Sequence, residues 1–127
     1  MSERSFILFK ICEEIIAFDI ENFIQVTENT SKDYVNYDSK EVKVLQLDSL
    51  LELQSCGPHP VIAILNYKNK FFAVAVDSVL DTISVNDSNI KIVSGIIASS
   101  KSIVSEVIVE NSKIINIISL PFLADIS

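Results

Sequence analysis

The sequence predicts an all-β fold built from two similar small β units. No segment keeps a 3.6-residue apolar period over twelve or more residues, so no long amphipathic helix is expected. About ten short apolar runs of strand length follow one another instead, separated by polar turn segments. The hydrophobic pattern of Phe6–Val26 also returns 56 residues later, at Ile62–Thr82. Ile7-Leu8-Phe9 matches Ala63-Ile64-Leu65, Ala17-Phe18 matches Ala73-Val74, and Ile20 with Phe23 matches Val76 with Val79. At a different offset, Val44-Leu45-Gln46-Leu47 with Leu50 returns as Ile117-Ile118-Ser119-Leu120 with Leu123. The matches share hydrophobic pattern more than identity.

Each element follows from local composition. Phe6–Ile11 and Ile15–Ile20 are apolar runs flanking Glu13-Glu14 and read as a hairpin. Glu21-Asn22 interrupts before Phe23–Glu28. Asn29–Lys40 is polar and reads as a loop with a short strand at Tyr34-Val35. Glu41–Leu47 alternates, and Asp48 is placed to cap a short helix over Ser49–Leu53. Gly57-Pro58-His59-Pro60 is the strongest breaker and the expected junction of the units, which run about 1–57 and about 58–127 in one domain. Val61–Tyr67, a turn at Lys68-Asn69-Lys70 and Phe71–Val76 open the second unit. Asp77-Ser78 interrupts as Glu21-Asn22 did, and Val79–Val85 continues. Asn86–Asn89 reads as a turn, Ile90–Ile97 as a weakly defined apolar stretch and Ala98–Ser102 as a loop. Ile103–Glu110 and Lys113–Ser119 form a hairpin about Asn111-Ser112, and Leu120–Ile126 closes as a short helix or turn.

Composition narrows the function. A chain of 127 residues, 49% of them hydrophobic and only two glycine, suits one domain with a real core. Seventeen Asp+Glu against ten Lys+Arg argue against nucleic acid and anionic membrane surfaces. The longest uncharged stretch, Gln54–Tyr67, holds 14 residues and two prolines, too short and broken to span a bilayer. Phe6–Phe9 is too brief for a signal-peptide core. A cytoplasmic location is expected, with no membrane insertion. Cys12 and Cys56 fit no metal spacing; of the two readings left, a structural disulfide and two ordinary thiols, the thiols are expected in a cytosolic protein.

Catalytic chemistry finds no anchor. His59, the one histidine, lies between two prolines and reads as a turn residue. Gly57 and Gly95 are isolated, so no phosphate loop is written here. Glu13/Glu14 and Asp77/Asp81 read as exposed acidic turns, and Asp19 falls on the solvated face of its strand. No serine sits in a G-x-S-x-G elbow. No catalytic, metal or cofactor-binding residue is expected. A mean hydropathy of +0.40 is high for so small a domain, which leaves apolar residues for the surface. Phe23, Val26, Val79 and Ile83 fall on matching segments and would flank a shared groove; core packing is the competing reading.

The order of motifs resembles the CheW-like domain family. FILFKICEEIIAFDIENFIQV is similar to that family's opening strands, and VKVLQLDSLLEL to its "iPvidLrklLgl" segment. PVIAILNYKNKFFAVAVDSVLDTISV resembles the hairpin ending "lVDrVldv", and SKIINIISLPFL the closing "liilLDi.kll". The resemblance covers nearly the whole chain. It implies two five-stranded, SH3-like β-barrels packed side by side, and a non-enzymatic adaptor of two-component signal transduction. Its implied partners are the regulatory domain of the histidine kinase CheA and the signalling tip of a methyl-accepting chemotaxis receptor. Carried over by position, receptor-groove contacts fall on Phe23, Gln25, Val26, Val79, Thr82 and Ile83, and the kinase-facing edge includes Val61. The chain departs from the family between Thr27 and Glu41, where a longer segment ending G-V-x-N-L-R-G is missing. That departure leaves open a degenerate interaction module, serving self-association or another kinase pathway, that has lost standard receptor–kinase coupling.

Overall fold

The longest apolar runs belong to strands whose two faces are both buried, so they show little polar alternation. In a computed structural model describing residues 2–54, 58–92 and 103–127, these are β1 (Glu3–Ile11), β2 (Glu14–Asp19), β6 (Val61–Tyr67) and β7 (Lys70–Val76). Phe6 and Leu8 of β1 enter one small core with Ala17, Val85, Ile108 and Ile117. Ile62 and Ile64 of β6 enter a second with Val42, Val44, Ala73 and Ala75. The opposite faces, Ile7, Phe9 and Ile11 of β1 and Ala63 and Leu65 of β6, meet in a larger third core with Phe18, Phe72 and Val74. Two curled sheets therefore each enclose a small core and share a large one. Ala17, Ala73 and Ala75 face the small interiors, where a tightly curled sheet leaves little room.

The remaining elements are β3 (Phe23–Glu28), β4 (Tyr34–Tyr37), β5 (Lys40–Leu45), β8 (Ser78–Asn86), β9 (Ile90–Ile92), β10 (Val104–Glu110), β11 (Lys113–Ile118), α1 (Leu47–Leu50) and α2 (Leu120–Ile126). One sheet has six strands in the order β8-β1-β2-β11-β10-β9; the other has five, β3-β6-β7-β5-β4. The expected all-β pair of sheets is present, with six strands in one where five were expected. The boundary expected near residue 57 does not separate them. The 3-10 turn Ile20–Asn22, capped by Asp19, carries the chain from β2 into the other sheet, where β3 pairs with β6. Asp77 marks the reverse passage, from β7 to β8, which pairs with β1. The five-stranded sheet is thus one continuous stretch of chain, residues 23–76, inserted between β2 and β8 of the six-stranded sheet.

The two crossings between sheets are equivalent in register. Phe23 faces Leu65, Gln25 faces Ile64 and Val26 faces Ala63. Fifty-six residues on, Val79 faces Phe9, Asp81 faces Leu8 and Thr82 faces Ile7. Both pairings skip one residue at the same point, Ile24 in β3 and Leu80 in β8. The second echo is met as well, since Val44 runs parallel beside Ala73 as Ile117 does beside Ala17. Its longer offset reflects the longer segment between β8 and β11, which holds β9 and β10 where the first half has β4 alone.

Three hairpins close with two-residue turns in which both residues have positive φ: Asp38-Ser39, Lys68-Asn69 and Asn111-Ser112. Such turns match the twist of paired strands and normally favour glycine, which this chain uses at none of them. Ser119 caps α2, accepting the Phe122 N–H at 3.3 Å, with Pro121 in the first turn where no N–H is needed. The helix expected over Ser49–Leu53 lies instead at Leu47–Leu50, anchored by the fully buried Leu47, with Gln46 at the cap. Asp48 is therefore inside the first turn and not its cap. Cys12 is disulfide-bonded, which corrects the expectation of a free thiol there. The expectations for Cys56, Gly57 and the stretch 93–102 lie outside the described residues.

Candidate functional site

The predicted groove residues lie on β3 and β8, edge strands of different sheets. Phe23 is half-buried and turns inward, its ring 5.9 Å from that of Phe9. Gln25 and Val26 point outward, and Val26 is 42% exposed. On β8, Val79 is likewise 42% exposed and Thr82 is exposed, whereas Ile83 rests half-buried against the core of the six-stranded sheet. Thr82 and Ile83 share a shallow depression of about 310 Å³ with Ser5, Ile20 and Ser84. The structure therefore joins Thr82, Ile83 and Ile20 in one recess and sets Gln25 and Val26 on the edge of the other sheet. Val61 begins β6 opposite Glu28 and Val76, half-buried against the shared core.

The bulge residues break the equivalence of the two edges. Ile24 packs on the core of its sheet, while Leu80, at the same register position, is 45% exposed. Leu80 is the apolar surface residue that sequence pattern missed. Its signal was the run Val79-Leu80-Asp81, two consecutive apolar residues on an edge where alternation permits one inward.

A second arrangement surrounds His59, which is no loose turn residue. Its side chain is 6% exposed and clamped between two carboxylates: Nδ1 lies 2.5 Å from Asp77 Oδ1 and Nε2 lies 2.9 Å from Asp48 Oδ2. The other Asp77 oxygen accepts the Cys12 N–H at 2.8 Å, in the turn between β1 and β2. The Asp77 N–H donates to the Lys10 carbonyl at 2.8 Å. Asn29, just past β3, binds the His59 carbonyl through Nδ2 at 2.6 Å and the Pro60 carbonyl through its N–H at 3.0 Å. Burial alone would lower the imidazole's proton affinity. Hydrogen bonds to Asp77 and Asp48, with their charges, outweigh it and raise His59 above its ordinary 6.5. The bond to His59 is the main cause that holds Asp48 below the usual 3.8. Asp77 thus belongs to a buried network and not to an exposed acidic turn.

A third cluster joins Arg4 to Glu106 through two contacts of 3.0 and 3.1 Å, with Asp19 at 3.5 Å. It borders a cleft of about 370 Å³ reached by Tyr67, Ser119 and Pro121. Asp19 also caps the Ile20–Asn22 turn by accepting the Glu21 N–H, so the crossing between sheets, and not simple solvation, explains its place. Among the described residues no group of three or more His, Cys, Asp and Glu is arranged to hold a metal ion. Asp48 and Asp77 approach opposite nitrogens of one ring and do not converge on a point.

Two β sheets around a shared core, with exposed apolar residues on the edge strands β3 and β8, have the form of a β-type interaction module. The chain belongs to the CheW-like domain family, whose sequence profile matches residues 5–126. Proteins of this family are non-enzymatic scaffolds. The fold is similar to that of the scaffolding protein TtCheW from Thermoanaerobacter tengcongensis, with a TM-score of 0.81 at 20% identity, covering 96% of this chain and 92% of that one. At that identity the likeness speaks for the fold alone. No curated protein matches the chain. Among the described residues no helix is long and apolar enough to cross a membrane.

Proposed function

We propose that this chain is a cytoplasmic chemotaxis adaptor that couples a chemoreceptor signalling tip to the regulatory domain of the histidine kinase CheA. The observation that carries it is the pair of edge strands β3 and β8, equivalent in register and each presenting an exposed valine, Val26 and Val79. Receptor contact runs along Gln25, Val26, Val79, Thr82 and Ile83. Phe23 serves the contact from behind, by bracing β3 on Phe9. Leu80 joins the surface, and Val61 lies toward the kinase. Binding of the purified chain to a CheA regulatory domain and to a receptor tip, followed by calorimetry, tests this; failure to bind either overturns it.

One observation favours a second reading, a degenerate CheW-like module with another partner or with itself. Between β3 and β5 the chain has room only for the four-residue strand β4, where the family's longer N-L-R-G segment is missing. Recovery of a different kinase, or a concentration-dependent dimer by light scattering, would favour it.

A further inference from the structure

We propose that His59 is a protonation-operated latch that holds the end of β3 and the start of β8 in their partner-binding alignment. The proposal rests on the reading of β3 and β8 as contact strands. Its first support is stoichiometric. Both imidazole nitrogens face carboxylate oxygens, at 2.5 and 2.9 Å, and ionised carboxylates only accept. The clamp is complete only when both nitrogens carry protons. A neutral ring turns one lone pair toward a carboxylate, and that side of the clamp loses its bond.

Its second support is where the clamp is tied. Asp77 immediately precedes β8 and holds the β1–β2 turn through the Cys12 N–H. Asn29 immediately follows β3 and is fastened to the backbone of His59 and Pro60. His59 therefore ties the exit of β3 through its backbone and the entry of β8 through its ring, with Asp48 fixing the ring to α1. The charged groups facing this site from its surroundings are Asp48 on α1, Asp77 at the β7–β8 junction, and Lys32 and Asp33 from the segment after β3. Lys32 and Asp33 border the same recess of about 260 Å³. They are exposed, opposite in sign and screened, so the two contacting carboxylates decide the proton's fate.

His59 is the one histidine in the chain, so its ring proton signals in NMR are unambiguous. The test follows them from pH 5 to 9 (roughly the range in which a perturbed imidazole titrates) in the full chain, with hydrogen exchange of the Asn29 and Cys12 amides corrected for intrinsic rate. The expected result is a midpoint above 6.5, a loss of protection at both amides with that same midpoint, and a lower midpoint in Asp48→Asn. Affinity for a receptor tip should fall through the same midpoint and be independent of pH in His59→Gln. A midpoint at or below 6.5, unresponsive amides, or an affinity that ignores the midpoint overturns the latch. Absence of binding at every pH removes the adaptor reading instead, and the amide titration in the unmodified protein then decides the latch by itself.

Discussion

Val79 lies opposite Phe9 across β8 and β1, and it is the counterpart, 56 residues on, of Phe23 opposite Leu65 across β3 and β6. The equivalence places two edges on one surface plan but leaves them chemically different. Phe23 is turned into the shared core, and Val79 is turned out.

That difference separates stability from binding. Val79→Lys and Val26→Lys should change folding stability by no more than about 0.5 kcal/mol, as surface positions do. Either should weaken receptor contact by about 2 kcal/mol if the residue anchors the interface. Phe23→Lys should instead cost about 3 kcal/mol of stability, because it removes a ring from the core and buries a charge. Urea unfolding beside calorimetric titration distinguishes the outcomes.

His59→Ala should destabilise the protein by about 2 kcal/mol near pH 6, since it strips charge-assisted bonds from two partly buried carboxylates. Asp48→Asn should cost less, because Asp77 still holds the ring. Denaturant midpoints at fixed pH measure both.

The pH dependence has a defined sign. His59 is raised in the folded state, so its contribution is complete below 6.5 and is lost as pH rises through its folded value. Asp48 is lowered, so its contribution is present above 3.8 and is lost as pH falls through its folded value. The stability difference between the unmodified protein and His59→Ala should be greatest between 3.8 and 6.5 and shrink on both sides. A difference that grows toward pH 9 contradicts the clamp.

The turns without glycine store a small cost. Lys68 and Asn69 have φ of 50° and 67°. Lys68→Gly should raise stability by about 0.5 kcal/mol, because a lysine in the left-handed region carries a steric penalty that glycine does not. A shift in thermal midpoint reads it directly.

Ala17 and Ala73 occupy corresponding places in the two small cores. Ala17→Leu and Ala73→Leu should each cost about 1–3 kcal/mol by overpacking. Similar losses support the equivalence of the two sheets; tolerance at one shows that its sheet can open.

Much of this was legible in the sequence because hydrophobic pattern specifies register. The 56-residue echo marked residues in corresponding places, as Ala17 and Ala73 in the two small cores and Phe18 and Val74 in the shared one. The crossings between sheets before β3 and β8 were not legible, since a pattern records which face of a strand is buried but not which sheet it joins. His59 was misread for a related reason. A histidine between prolines looks like a turn until the fold brings Asp48 and Asp77, 11 residues before and 18 after it, to its two nitrogens. Leu80 was missed because a bulge shifts alternation by one residue at a point the pattern does not mark.

The proposed coupling puts the receptor on β3 and β8 and the kinase toward Val61. Its most direct test is analytical ultracentrifugation of this chain with a CheA regulatory domain and a receptor signalling tip, unmodified and as Val79→Lys. A three-component complex is expected with the unmodified chain, and with Val79→Lys a complex that keeps the kinase domain and loses the receptor. A receptor that stays bound to Val79→Lys, or an unmodified chain that binds neither partner, would contradict it.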